Sequence, residues 1–158
     1  MLATAARPDA ILDLTLDRCD IASRIIQLNP ATRTQTKKYR PTVKMPEAII
    51  PLIEKRQAAG DSPYLIAYNG KPVKSIKTSW RKARKAAGLD MAVNPYSLRH
   101  TMARWLRTQS VPVWEVQAQL GHKQAGAGTT EIYAPFDPAY LSKSVVAIDR
   151  LLMSVEID

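Results

Sequence analysis

The sequence predicts a mainly helical α+β fold in which a small antiparallel sheet precedes a run of helices. Three observations lead there. From residue 75 onward apolar residues recur at helical spacing, with Pro, Asn or Asp at the starts of the segments and Gly at several of their ends. Residues 24–29 (Arg-Ile-Ile-Gln-Leu-Asn) and 40–45 (Arg-Pro-Thr-Val-Lys-Met) read as two short strands flanking a basic loop, as the arms of a hairpin do. The chain has 158 residues, 46% of them hydrophobic, which is enough to bury one core and to exclude a disordered chain.

The elements follow in order. Ala6, Ala10, Ile11 and Leu14 are helically spaced with no cap or lead-in loop ahead of them, so the chain is expected to begin inside an element, as a piece of a longer protein would. After the hairpin, Pro46 opens a helix with Glu47 in its first turn, and Gly60 closes it. Pro63, Asn69, Gly70 and Pro72 mark a turn-rich stretch with one brief strand expected at 64–68. A helix is expected at 75–87, stopped by Gly88, and another at 96–109 behind Asn94-Pro95. Pro112 opens a shorter helix that ends at Gly121, and Gly126 and Gly128 loosen the next connection. Asp137-Pro138 then caps a final helix reaching Ser154, with Leu141, Val145, Ile148, Leu151 and Leu152 on one side. There are no internal repeats and no low-complexity tracts, so residues 1–158 are expected to form one domain.

Composition narrows the class. Lys and Arg total 23 against 14 Asp and Glu, a formal charge of +9, which points to a polyanionic partner, nucleic acid being the commonest. The single cysteine, Cys19, excludes an intramolecular disulfide. No stretch approaches the roughly 20 apolar residues of a membrane helix and no signal peptide is visible, so a cytoplasmic location without membrane attachment is expected. Two His and one Cys, far apart in sequence, argue against a zinc site, and no cofactor is expected.

Three short segments carry the chemistry: Tyr96-Ser97-Leu98-Arg99-His100-Thr101, Gln119-Leu120-Gly121-His122, and Thr130-Glu131-Ile132-Tyr133-Ala134. Each is weak alone. A helical Arg is usually solvated, a His after Leu-Gly usually ends a helix, and a Tyr near apolar residues is usually core. In this order the three resemble the tyrosine recombinase (phage integrase) family, and the resemblance covers nearly the whole chain. It implies that Arg99 is the family's second catalytic arginine, that His122 belongs to the site, and that Tyr133, eleven residues further on, is the nucleophile. The box Thr4-Ala5-Ala6-Arg7-Pro8-Asp9-Ala10-Ile11-Leu12-Asp13-Leu14 resembles the one around the family's first arginine, which falls on Arg7. The loop Thr34-Gln35-Thr36-Lys37-Lys38-Tyr39-Arg40 resembles the hairpin that holds its catalytic lysine; Lys37 is the preferred match, with Gln35 and Lys38 the alternatives in other registers. Two positions depart from the family pattern: Tyr96 stands where a His or Lys is usual, and Ala10 where an acidic residue is common.

These residue types suit the reaction the resemblance implies. A Tyr phenolate exchanges one phosphodiester for another of similar energy, so the step can be reversed by a sugar hydroxyl. Two arginines can grip non-bridging oxygens through planar forks. A Lys on a hairpin can protonate the leaving 5′ oxygen, and a His can place the phosphate or take the Tyr proton. The Tyr96 hydroxyl can still hydrogen-bond a phosphate oxygen. Double-stranded DNA is the implied partner, with several protomers assembling as a tetramer on paired sites, no metal, and an N-terminal DNA-clamping domain ahead of this segment. DNA contacts are expected from Arg33, Lys38 and Lys74, and from a helix whose Ile76, Trp80, Ala83 and Ala87 form one face and whose Lys77, Arg81, Arg84 and Lys85 lie on the others. Two other functions share much of this sequence logic: a type IB topoisomerase-like relaxing enzyme, and a DNA-binding regulator or architectural module with a decayed site.

Overall fold

Two apolar clusters organise the structure, and the N-terminal segment runs between them. The computed structural model describes residues 1–122 and 135–155. The first cluster joins Ala6, Ala10, Leu14, Cys19, Ile26, Leu28, Val43, Met45, Ile53 and Leu141. The second joins Ala5, Met102, Leu106, Val111, Val116, Leu120, Ala147, Ile148 and Leu152. Adjacent residues, Ala5 and Ala6, thus serve different clusters, so Arg7 is delivered at the seam.

After α1 (Pro8–Leu12) come three strands, β1 (Cys19–Asp20), β2 (Ile25–Gln27) and β3 (Thr42–Lys44), which form an antiparallel sheet in that order. Ile26 faces both Cys19 and Val43, so one inward row of buried side chains fixes the register. Backbone bonds from Leu28 to Pro41 O and from Met45 to Arg24 O extend the β2–β3 ladder at both ends, close to the expected 24–29 and 40–45. β1 is an addition that the sequence reading did not contain: two residues are too short to show alternation.

The expected 46–60 helix is a 3₁₀ turn, Glu47–Ile49, running into α2 (Ile50–Ala59), with Gly60 left-handed at its end. In the turn-rich stretch the strand is shorter than expected. β4 (Ala67–Tyr68) pairs with β5 (Lys71–Pro72) across Asn69-Gly70, both with positive φ, which is the hairpin turn that this dipeptide favours. Tyr64 instead bridges to Thr15.

α3 (Lys77–Ala86) has no buried residue. Ile76 and Trp80 are partly covered, but Ala83 and Ala87, expected on the same apolar face, are exposed. α4 (Pro95–Thr108) begins with a capping box in which Asn94 accepts from the Tyr96 N–H (2.9 Å) and Ser97 accepts from the Asn94 N–H (3.1 Å). Its inward face is Arg99, Met102 and Leu106. α5 (Val113–Leu120) follows.

The last expected helix is interrupted. Asp137 caps a 3₁₀ turn, Pro138–Tyr140, and α6 (Ser142–Ser154) starts only after Leu141, which drops into the first cluster with no exposed surface. Two carboxylates fasten this element, one from outside it and one of its own: buried Glu115 of α5 accepts from the Ser144 N–H (2.9 Å), and Asp149 of α6 accepts from the N–H groups of Glu47 (3.1 Å) and Ala48 (3.0 Å). Trp105 donates its indole N–H to Ala147 O (2.7 Å). α6 therefore packs on its own chain. No helix among the described residues is long and apolar enough to cross a membrane.

Candidate active site

Arg99 is the anchor of the site. It is 8% exposed and projects from the inward face of α4, one turn before Met102. Its Nη1 donates to Ala5 O (2.7 Å), its Nη2 donates to Leu120 O (2.5 Å), and Nη2 lies 3.5 Å from His122 Nε2. Ala5 has a left-handed backbone (φ 52°) although it carries a Cβ, a conformation costing on the order of 1–2 kcal/mol, and it is the residue whose carbonyl meets the guanidinium. Buried Gln119 holds the same strand of chain by donating to Thr4 O (2.9 Å).

Arg7 comes in from the seam. With Arg99 it lines a small cavity completed by Ala6, Ala10, Leu28, Tyr39, Arg40, Pro41 and Leu120. Its Nη1 donates to Tyr39 O (3.0 Å), tying it to the hairpin loop. Among the described residues neither Arg7 nor Arg99 has a carboxylate partner. Burial first, and then the Arg7 charge, lower the Arg99 pKa to about 10, so Arg99 stays cationic at neutral pH and is repelled by the Arg7 charge. Two adjacent cations with donors to spare make a seat for an anion.

His122 reaches the pair through the end of α5. Gly121 is left-handed (φ 67°), its N–H bonds to Ala118 O (2.9 Å), and the His122 N–H bonds to Gln117 O (2.9 Å), a Schellman ending. The Leu-Gly-His segment needs glycine for a second reason. A Cβ at Gly121 would stand 2.7 Å from Pro41 Cδ and 2.8 Å from Tyr39 O. Gly121→Ala is therefore expected to cost more than the roughly 1–2 kcal/mol of a left-handed alanine, and to displace His122 or the hairpin. Gly88, also left-handed but with nothing within 4 Å of its Cβ direction, supplies the control. Denaturation midpoints should fall further for Gly121→Ala than for Gly88→Ala.

The pKa of His122 lies below the ordinary value near 6.5, because partial burial, then the Arg99 charge, then that of Arg7 disfavour the imidazolium. The sign follows: as pH drops below about 6.5 the unfolded chain takes up this proton more readily than the folded one, so stability from this group declines until the folded pKa is passed. An anion between the arginines should reverse the shift. Titration of the His122 ring by NMR, assigned with His122→Gln, is expected to move upward on adding inorganic phosphate; an unchanged titration would mean that no anion binds there.

The other expected site residues lie further out. Tyr96 is 45% exposed and lines a neighbouring cleft of about 810 Å³, with Asp9, Asp13, Arg40, Tyr64, Lys74 and Lys77, rather than the Arg7–Arg99 cavity. Lys37 and Lys38 are exposed on the hairpin loop. Lys74, Lys77 and Arg81 are exposed, whereas Arg84 turns back to donate to Met91 O (2.8 Å). Arg33 stays within its loop, donating to Asn29 Oδ1 (2.7 Å) and Thr36 Oγ1 (2.9 Å). Tyr133 lies outside the described residues. Among the described residues no three His, Cys, Asp or Glu side chains are grouped to hold a metal ion.

One part of the site was not foreseen. Arg40, 8% exposed, binds Asp13 (2.5 Å) and Asp9 (2.8 Å) through its two terminal nitrogens. Asp9 and Asp13 are four apart around α1, which is a visible signal of a shared face, but nothing in the sequence says that the cation meeting them comes from residue 40.

Comparison with known proteins places the sequence in a family. The pattern of the phage integrase family matches residues 1–139. The chain is similar to the tyrosine recombinase XerC of Shewanella amazonensis, with 36% identity over 70 residues, 44% of this chain and 23% of that protein. It is also similar to the XerC of Shewanella sp. strain ANA-3, with 31% identity over 91 residues, 56% of this chain and 30% of that protein. The chain thus spans less than a third of the length of these curated relatives. With its family pattern running from the Arg7 box past Tyr133, the chain belongs to the phage integrase family.

Proposed function

We propose that this chain is the catalytic part of a site-specific DNA recombinase that cuts and rejoins strands through a covalent tyrosine. The observation that carries the proposal is the meeting of Arg7, Arg99 and His122, brought from three distant parts of the sequence to one cationic seat without a carboxylate partner among the described residues. A scissile phosphate placed there would share its non-bridging oxygens between the guanidiniums. The Tyr133 oxygen attacks phosphorus, the bond to the 5′ oxygen breaks, and the strand is left joined to Tyr133 by a 3′-phosphotyrosine. His122 accepts or shares the phenol proton, while Lys37 delivers a proton to the departing 5′ oxygen. The reverse sequence, begun by the 5′ hydroxyl of another strand, rejoins DNA. Lys38, Lys74, Lys77 and Arg81 would hold the flanking phosphates, and several protomers on paired sites would supply the exchange.

The test uses a pool of duplexes with randomised flanks and a nick that lets the cut fragment diffuse away. A denaturant-stable, protease-sensitive protein–DNA band is expected. Binding without such a band would replace the enzyme with a DNA-binding module. Relaxation of supercoiled plasmid without any strand exchange between two duplexes would favour the topoisomerase-like activity.

A further inference from the structure

We infer that Arg40 is a positioning residue for proton delivery, fixing the lysine-bearing loop to the helix that follows Arg7. The inference rests on the strand-transfer function proposed above. Arg40 has no charge to offer a phosphate, because Asp9 and Asp13 already engage its guanidinium. Burial opposes the Asp9 carboxylate, yet the Arg40 hydrogen bond and charge more than offset it and hold the Asp9 pKa below the usual carboxylate range. Asp9 and Asp13 are each about half exposed, and ion pairs open to solvent contribute little to stability, so this clamp is poorly explained as a stabilising device alone.

Its main chain explains it better. The Gln35 amide brackets Arg40 at both polar atoms, with Nε2 donating to Arg40 O (2.8 Å) and the Arg40 N–H donating to Oε1 (3.2 Å). This closes residues 36–39 into a small loop tip that carries Lys37 and Lys38. Arg33 braces the tip from within by donating to Thr36 Oγ1 (2.9 Å) and Lys38 O (3.4 Å). From the site side, Arg7 Nη1 holds Tyr39 O (3.0 Å). The stem of the tip is thus pinned by Arg40 to Asp9 and Asp13, two and six residues beyond Arg7. A lysine has several rotatable bonds, and a general acid must come within hydrogen-bond reach of the leaving oxygen. Fixing the backbone beneath it leaves only the side-chain torsions to search, and a displacement of about 1 Å is enough to slow a step about 100-fold.

The test separates proton delivery from folding and phosphate binding. The nicked duplex pool is made in two forms, identical except that the bridging 5′ oxygen at the cleavage position is replaced by sulfur in one. A thiolate leaves without being protonated, whereas an alkoxide does not. Arg40→Met and Gln35→Ala are compared with the unaltered protein. With oxygen, both variants are expected to cleave about 10- to 100-fold more slowly at unchanged DNA affinity. With sulfur, both should return to within about threefold of the unaltered protein. Gln35 is exposed and its two bonds stay within the loop, so Gln35→Ala is expected to fold and keeps the test decisive if Arg40→Met does not. Equal losses on both substrates, or no loss on oxygen, would overturn the inference while leaving strand transfer intact. If the unaltered protein forms no adduct on either substrate, the proposed function fails and the role of Arg40 with it.

Discussion

Tyr133→Phe is expected to abolish covalent adduct formation, a loss of at least about 10⁴-fold, with folding and DNA affinity unchanged. The substitution removes one oxygen and nothing else. If that oxygen is the atom that bonds to phosphorus, the remaining site still binds the phosphate but has no group with which to displace the 5′ oxygen. The measurement is the denaturant-stable band on the nicked pool, with circular dichroism and a mobility shift as controls. A Phe variant that still forms the band would place the nucleophile elsewhere. Tyr140, 48% exposed in the 3₁₀ turn ahead of α6, would be examined next.

Arg99→Lys is expected to fail twice over. Lysine keeps the charge but loses the planar fork, so cleavage should drop by about 10²–10³, the usual cost of removing a transition-state donor. The structure adds a second loss. Arg99 satisfies two carbonyls, Ala5 O and Leu120 O, and one lysine ammonium is poorly shaped to reach both. Leaving one unpaired in a buried place should lower stability by about 1–3 kcal/mol. Arg7→Lys removes only the bond to Tyr39 O at a half-buried position, so it should match the cleavage loss with a smaller fall in stability. Urea denaturation alongside cleavage rates, measured where each variant is fully folded, resolves the two contributions. An Arg99→Lys protein as stable as the original would mean that the two carbonyl bonds contribute little.

The contrast between these arginines shows what the sequence could and could not disclose. The Arg7 box, Leu-Arg-His-Thr and Leu-Gly-His, through their resemblance to one family, pointed to three residues that the structure brings together, and two of these sit in segments whose local form is dictated nearby: Asn94 and Ser97 cap α4, and Gly121 ends α5. The Asn69-Gly70 turn was equally local, but its flanking strands are two residues each, too short for periodicity to reveal them. The Arg40 clamp was not legible, since its partners lie 27 and 31 residues away and only the tertiary structure joins them. Nor could residue type say that Arg84 would bend back onto its own loop while Arg81 stays exposed. The break at Leu141 had a similar cause: its side chain is buried in the first apolar cluster with Val43 and Met45, and this packing overrides the helical pattern around it.

The bareness of α3 has a thermodynamic corollary. With no side chain in either apolar cluster, the helix is tied down chiefly at its Trp80 and Arg84 side chains, which bond Val93 O (3.1 Å) and Met91 O (2.8 Å). Lys77, Arg81 and Lys85 stack at four-residue intervals, and no acidic residue lies between them. Each such like-charged pair works against the helix by about 0.2–0.5 kcal/mol. Amide exchange in this segment is then governed by local opening rather than by global unfolding, and protection should be lowest here among the longer helices. A polyanion laid along it would cancel the repulsion and slow the opening, so its helicity and its ligand are linked quantities. Simple salt would relieve part of the same repulsion while competing for the same charges, which sets the folding of this element and its occupancy in opposition as ionic strength rises.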